Sequence, residues 1–166
     1  MALDPKVFKA YDVRGLYPSE LDEEGARAIG RAYVEHFEPK EIAVGRDMRL
    51  SSPTMHESFV RGASEAGADV VDIGTEMLYH AVGELGLDGG ATITASHNPK
   101  DYTGAKIVRR GALPVGGDSG LIEIRDRALS AQDTSGGQTP GRVETRDVYP
   151  GFVDKVMSFI DPAAVK

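Results

Sequence analysis

The sequence predicts an α/β protein: a three-layer α/β/α sandwich around a mostly parallel, mixed sheet. Short apolar runs of strand length recur at Glu41–Gly45, Asp69–Ile73 and Ala91–Ala95. Between them lie longer segments whose apolar residues repeat every three or four positions, the helical period. Strand and helix alternate, as they do where crossover helices cover a largely parallel sheet.

The elements follow in order. A polar opening segment holds Phe8 to Gly15. Leu21 to Phe37 reads as a helix, with Leu21, Ala28, Ile29, Ala32 and Tyr33 on one face and Glu23, Glu24, Arg27 and Arg31 elsewhere. Glu41–Gly45 is a buried strand. Ser51-Ser52-Pro53 opens a second helix, serine at the N-cap and proline at N1. Its stripe is Met55, Phe59, Val60, Ala63 and Ala66, and Gly67 ends it. A strand at Asp69–Ile73 leads to a helix over Thr75–Leu87 and a strand at Ala91–Ala95. Lys106–Arg109 is an extended edge strand, and Ser119–Leu129 a further helix. Residues 1–130 thus make the domain. Residues 131–146, rich in Gly and polar side chains, read as a linker, and 147–166 as a last amphipathic helix marked by Tyr149, Phe152, Val153, Val156, Met157 and Ile160.

Composition limits the function. The chain has 166 residues, 40% of them apolar, enough for one core. It carries 20 glycines and 9 prolines between apolar runs, a signal of many turns. A net charge of -7 argues against a nucleic-acid surface, which needs a concentrated basic face, but leaves room for a local anion pocket. The absence of Cys excludes disulfides and thiolate metal sites. No apolar stretch approaches the ~20 residues of a membrane span, and Met1–Lys9 is too charged for a signal peptide. A soluble cytoplasmic protein is expected.

Three segments carry chemistry. Thr94-Ala-Ser-His-Asn-Pro-Lys100 follows a strand, so Ser96 falls at a strand's carboxyl end, where open α/β sheets place ligands. A Ser–His hydrolase is not indicated: neighbouring side chains are not normally aimed at each other, and no G-x-S-x-G elbow surrounds Ser96. A serine that carries phosphate needs exposure and cationic neighbours, and Lys100, Lys106, Arg109 and Arg110 follow closely. In Phe8–Gly15, Arg14 offers a bidentate phosphate grip, and Tyr11 a hydroxyl for a sugar. Gly45–Pro53 is a strand-to-helix turn whose free N–H groups attract anions. Each segment also has a plainer reading: a solvated serine, an Asp12–Arg14 surface pair, and simple capping with an Arg46–Asp47 pair.

In this order and spacing the segments resemble the α-D-phosphohexomutases, the phosphomannomutases and phosphoglucomutases. The resembling stretches are Tyr11-Asp-Val-Arg-Gly15, Gly45-Arg-Asp-Met-Arg-Leu-Ser-Ser-Pro53, Asp72-Ile-Gly74, Thr94-Ala-Ser-His-Asn-Pro99 and Asp101-Tyr-Thr-Gly-Ala-Lys106. The resemblance runs from about Phe8 to Leu129. It implies an enzyme that moves phosphate between O1 and O6 of a hexose phosphate through a hexose 1,6-bisphosphate. Ser96 would carry the phosphoryl group and help to hold Mg²⁺ through it. Lys106 would be general base or acid, and Arg14 would steady the phosphoryl charge. His97 and Tyr11 would orient phosphate and sugar, and Asn98 would shape the loop.

The family's magnesium-binding D-x-D-x-D-R loop, its sugar-selecting loop and its distal-phosphate loop do not occur in this sequence. The resemblance therefore implies the first domain of a four-domain enzyme. The fragment would be inactive alone, its partners being domains two to four of the same protein. A stand-alone sugar-phosphate binding module and a non-catalytic structural domain are the other classes. Two departures stand out. The loop after Gly74 is about three residues short of the family pattern. Thr103 replaces the usual Asn before Gly104, which on a turn reading would alter the approach to Lys106.

Overall fold

A computed structural model describes residues 3–130 and 139–161. Its framework is a seven-stranded mixed sheet. The strands are β1 (Val13–Leu16), β2 (Glu41–Arg46), β3 (Asp69–Asp72), β4 (Gly89–Ile93), β5 (Tyr102–Arg109), β6 (Leu113–Pro114) and β7 (Val143–Thr145). They lie in the order β1-β5-β4-β2-β3-β7, with β6 pairing β5. The pairs β4–β2, β2–β3 and β3–β7 are parallel. The pairs β1–β5 and β4–β5 are antiparallel.

Helices α1 (Glu23–Phe37), α2 (Ser52–Glu65) and α4 (Leu121–Ser130) cover one face of the sheet. Helix α3 (Leu78–Leu85) covers the other, over a smaller cluster of Ala43, Val71, Leu78, Val82 and Val108. This is the expected α/β/α sandwich. The larger core centres on Tyr33 and Phe59, both fully buried. The Tyr33 hydroxyl donates to the Val108 carbonyl at 3.0 Å, which satisfies it where burial has pushed its pKa up. Helices α1 and α2 touch through glycines. A Cβ at Gly30 would lie 2.3 Å from the Phe59 carbonyl oxygen, and one at Gly62 2.0 Å from that of Arg27.

Several boundaries differ from expectation for local reasons. Val13–Leu16, expected as part of a polar opening, is an edge strand of the sheet. Lys106–Arg109 is not an edge: β5 is longer and runs between β1 and β4. Thr103–Gly104 is therefore no turn but mid-strand, opposite Gly15 and Arg14. A Cβ at Gly104 would meet the Val13 carbonyl at 2.0 Å, so only glycine lets β1 come this close. Ser51 makes no capping bond with its side chain, and α2 starts at Ser52 with Pro53 in its first turn. Helix α3 starts at Leu78 rather than Thr75.

The expected linker is partly structured: Val143–Thr145 pairs with β3 along the sheet edge, while residues 131–138 lie outside the described residues. Helix α5 (Tyr149–Met157) follows. It lies beside α3 through a Phe152–His80 ring contact at 5.5 Å and a Lys155–Glu84 ion pair at 3.2 Å.

Candidate active site

The parallel strands β2, β3 and β4 all end at one side of the sheet, and the chemistry-bearing loops leave from there. After β4, Thr94 and Ala95 are buried and Ser96 emerges exposed, with φ +55. A non-glycine residue in this left-handed region is uncommon and costs of order 1 kcal/mol or more, so neighbouring groups must hold it. The Ser96 amide donates to the Thr94 hydroxyl at 2.9 Å. The Asn98 side-chain and backbone N–H groups both donate to the Ala95 carbonyl, at 2.8 and 3.1 Å, which gives Asn98 the loop-shaping place expected of it. His97 is exposed, its Nδ1 3.4 Å from the Ser96 hydroxyl. The two neighbours do face each other, contrary to expectation, but at the long limit of hydrogen bonding.

Arg14 and Lys106 reach the same end from the antiparallel half. Arg14 sits opposite Gly104, whose carbonyl accepts from the Thr94 amide at 2.9 Å, so β1, β5 and the root of the serine loop form one row. Lys106, two residues along β5, shares that face. Asp12, absent from the sequence-based site, links the two cations. Its carboxylate accepts from Arg14 Nε at 2.8 Å and lies 3.6 Å from Lys106 Nζ. The Asp12 side chain is only 7% exposed, against 29% for Arg14 and 39% for Lys106. The expected surface pair is thus a buried carboxylate orienting two accessible cations. Tyr11 is 81% exposed beside it.

Other cations fall elsewhere. Arg109 pairs with Gly89 at the far end of the sheet, and Arg110 binds Asp88 there, so neither approaches the loop. Lys100 lies in the serine loop itself and lines a cleft of about 1400 Å³ together with Ser96, Asn98 and Asp101. Arg46 to Ser51, the loop before α3, and Tyr149 and Phe152 of α5 line it too. Arg14 and Lys106 do not line this cleft.

The turn after β2 supplies the anchor. Asp47 is 7% exposed and accepts from the Ser52 hydroxyl, from the Arg49 amide at 3.0 Å and from Arg49 Nε at 3.1 Å. Burial alone would push this carboxyl up; the Ser52 hydroxyl, the Arg49 amide, the Thr94 hydroxyl and the Arg49 charge outweigh it and hold the pKa below the usual carboxylate value. The pairing is Asp47–Arg49, not the Arg46–Asp47 pair the sequence suggested. The remaining Arg49 nitrogens reach across to the serine loop, a contact no sequence spacing of about 50 residues could signal. The shortened loop after Gly74 packs close against the sheet: the Arg46 amide donates to the Thr75 carbonyl at 3.2 Å, and a Cβ at Gly45 would lie 2.0 Å from that oxygen.

Comparison with known proteins gives one answer. The family described as "Phosphoglucomutase/phosphomannomutase, alpha/beta/alpha domain I" matches residues 5–133. A phosphomannomutase of Escherichia coli is 44% identical over 158 residues, covering 93% of this chain and 35% of that protein. A phosphomannomutase of Klebsiella pneumoniae is 50% identical over 128 residues, covering 75% of this chain and 82% of that one. A phosphoglucomutase/phosphomannomutase family protein of Burkholderia thailandensis superposes with a TM-score of 0.83 at 34% identity, over 96% of this chain and 37% of that structure. The chain therefore spans about a third of the length of the E. coli and B. thailandensis relatives, and it belongs to the phosphoglucomutase/phosphomannomutase family as its α/β/α domain I.

Proposed function

We propose that this chain carries the phosphoryl group of a hexose phosphomutase, which interconverts hexose 1-phosphate and 6-phosphate through a hexose 1,6-bisphosphate. The observation that carries this reading is Ser96: exposed, in a held left-handed conformation, and beside strands that present Arg14 and Lys106 on one face.

In this reading Ser96 bears the phosphate. A hexose hydroxyl attacks phosphorus as Lys106 takes its proton, and the bond from phosphorus to Ser96 Oγ breaks. Arg14 stabilises the charge on the transferring oxygens, aimed by Asp12. His97 steadies the Ser96 phosphate, and Tyr11 contacts the sugar. The bisphosphate then returns its other phosphoryl group to Ser96. Among the described residues no group of three or more His, Asp or Glu is gathered to hold a metal ion. Among the described residues the donor to Mg²⁺ would be the Ser96 phosphate, and one such donor is too few for a magnesium site, whose ion would help neutralise charge on the transferring group when bound. Further ligands, and those for the second phosphate, belong to the larger remainder of such an enzyme, so this polypeptide alone should not turn over substrate.

The test is intact mass after incubation with a hexose 1,6-bisphosphate and Mg²⁺. One added phosphate, absent from Ser96→Ala, supports the reading. The same added mass on Ser96→Ala would refute the role of Ser96.

A further inference from the structure

Arg49 is the most fully engaged side chain at the site, and the phosphoryl chemistry above does not use it. Its side chain is 13% exposed. Nε binds Asp47 at 3.1 Å. Nη1 donates to the carbonyls of Pro99 at 2.7 Å and Tyr102 at 3.3 Å. Nη2 donates to those of Ser96 at 2.8 Å and Asn98 at 2.7 Å. One planar fork thus fixes four peptide carbonyls of a single loop, a task that needs several donors in fixed directions and that an ammonium cannot reproduce.

The other side of the Ser96 peptide is held as well: its amide donates to the Thr94 hydroxyl at 2.9 Å. Asp47 bonds Arg49, and Arg49 takes the Ser96 carbonyl. Both the N–H and the C=O of Ser96 are therefore held, the C=O through Arg49 by a buried carboxylate on the neighbouring strand's exit turn. A left-handed Ser96 persists only where its peptide groups are over-determined in this way.

We infer that Arg49 is a positioning residue: with Asp47 it clamps the carbonyls of residues 96–102 and so holds Ser96 left-handed, its hydroxyl presented for phosphoryl transfer. The inference rests on the proposed role of Ser96, but the clamp can be read without any turnover.

The experiment compares the wild-type 166-residue chain with Arg49→Lys and Arg49→Ala by NMR. The one-bond Cα–Hα coupling of Ser96 reports the sign of φ. Hydrogen exchange is followed at the Ser96, Asn98 and Tyr102 amides, with β2 and β4 as internal controls. Both variants should melt cooperatively, lose the left-handed signature at Ser96, and exchange those three amides roughly tenfold faster or more while the strands stay protected. Added methylguanidinium should restore the signature in Arg49→Ala and leave Arg49→Lys unchanged, a rescue that general destabilisation would not give. A left-handed Ser96 with wild-type exchange in both variants overturns the inference. So does faster exchange spread evenly over the sheet without rescue. Phosphate uptake from a hexose 1,6-bisphosphate is measured in parallel with this chain, wild type or variant, placed at the head of a full-length phosphomannomutase relative, which supplies the ligands for the metal and the second phosphate. If the wild type fails to take phosphate while Ser96 still loses its conformation in the variants, the proposed role of Ser96 falls and the clamp stands. If the wild type takes phosphate and the variants keep both conformation and uptake, the clamp falls and the role of Ser96 stands.

Discussion

At the scale of single residues, three acidic and basic side chains organise the site, and none is a reacting group in the proposed chemistry. Asp12 aims Arg14 and Lys106; Asp47 and Arg49 hold the serine loop. The motifs made Ser96, Lys106, Arg14, His97 and Tyr11 legible because the family resemblance attaches to contiguous stretches. Asp47 and Arg49 lay inside such a stretch, yet their partners are on another loop, and local reasoning paired Asp47 with the wrong arginine. Asp47 also makes a pH prediction. Its pKa is lowered in the folded state, so its stabilising contribution is fully present above the unfolded carboxylate pKa of about 3.9 and is lost as pH falls through the lower folded value. Asp47→Asn should cost about 2 kcal/mol at neutral pH, since it weakens charge-assisted hydrogen bonds of a buried group. Urea unfolding across pH should show that gap closing below about pH 4. A gap that stays constant into acid would mean that the carboxylate charge contributes nothing.

At the scale of elements, close backbone approach explains what periodicity missed. The helices α1 and α2 were readable from their apolar stripes, but their contact through Gly30 and Gly62 was not, because glycine has no pattern of its own. Gly30→Ala should lower stability by about 2 kcal/mol. Alanine is the better helix former by about 1 kcal/mol, yet its Cβ must force the Phe59 backbone away. Thermal unfolding should show a drop of roughly 4–8 °C for a domain of this size. Gly83→Ala, on the exposed side of α3 with nothing within 4 Å, is the control and should be neutral or slightly stabilising. A similar response at both sites would contradict the packing. Strand β1 and the first half of β5 escaped recognition for a related reason. Asp101-Tyr-Thr-Gly-Ala-Lys106 alternates poorly and contains a turn-like Thr-Gly, but pairing on both sides makes it a central strand. Strand β7 has no buried residue at all. Its ladder to β3 and the Arg142–Asp69 pair at 2.8 Å define it, and neither is visible in a polar tripeptide.

At the scale of the whole molecule, the alternation of strand and helix was enough to give the sandwich, because it reflects which faces must be buried. It did not give the split of the sheet into a parallel half, which delivers Ser96 and Arg49, and an antiparallel half, which delivers Arg14 and Lys106. The site exists because β4 and β5 join these halves, and the Ser96 loop is the connection between them. In the proposed reading this half-and-half sheet presents Ser96 with its cationic neighbours, and among the described residues no group of three or more His, Asp or Glu is gathered to hold a metal ion.

The central claim is that Ser96 carries the phosphate that a hexose receives. The most direct measurement places this chain at the head of a full-length phosphomannomutase relative, in exchange for the corresponding segment. The phosphate is then located by peptide mass mapping during turnover of a hexose 1-phosphate. The account predicts a turning-over chimera with phosphate on the peptide that contains Ser96, and loss of both phosphate and turnover in Ser96→Ala. Turnover that survives Ser96→Ala, or phosphate found on another residue of this chain, would contradict it.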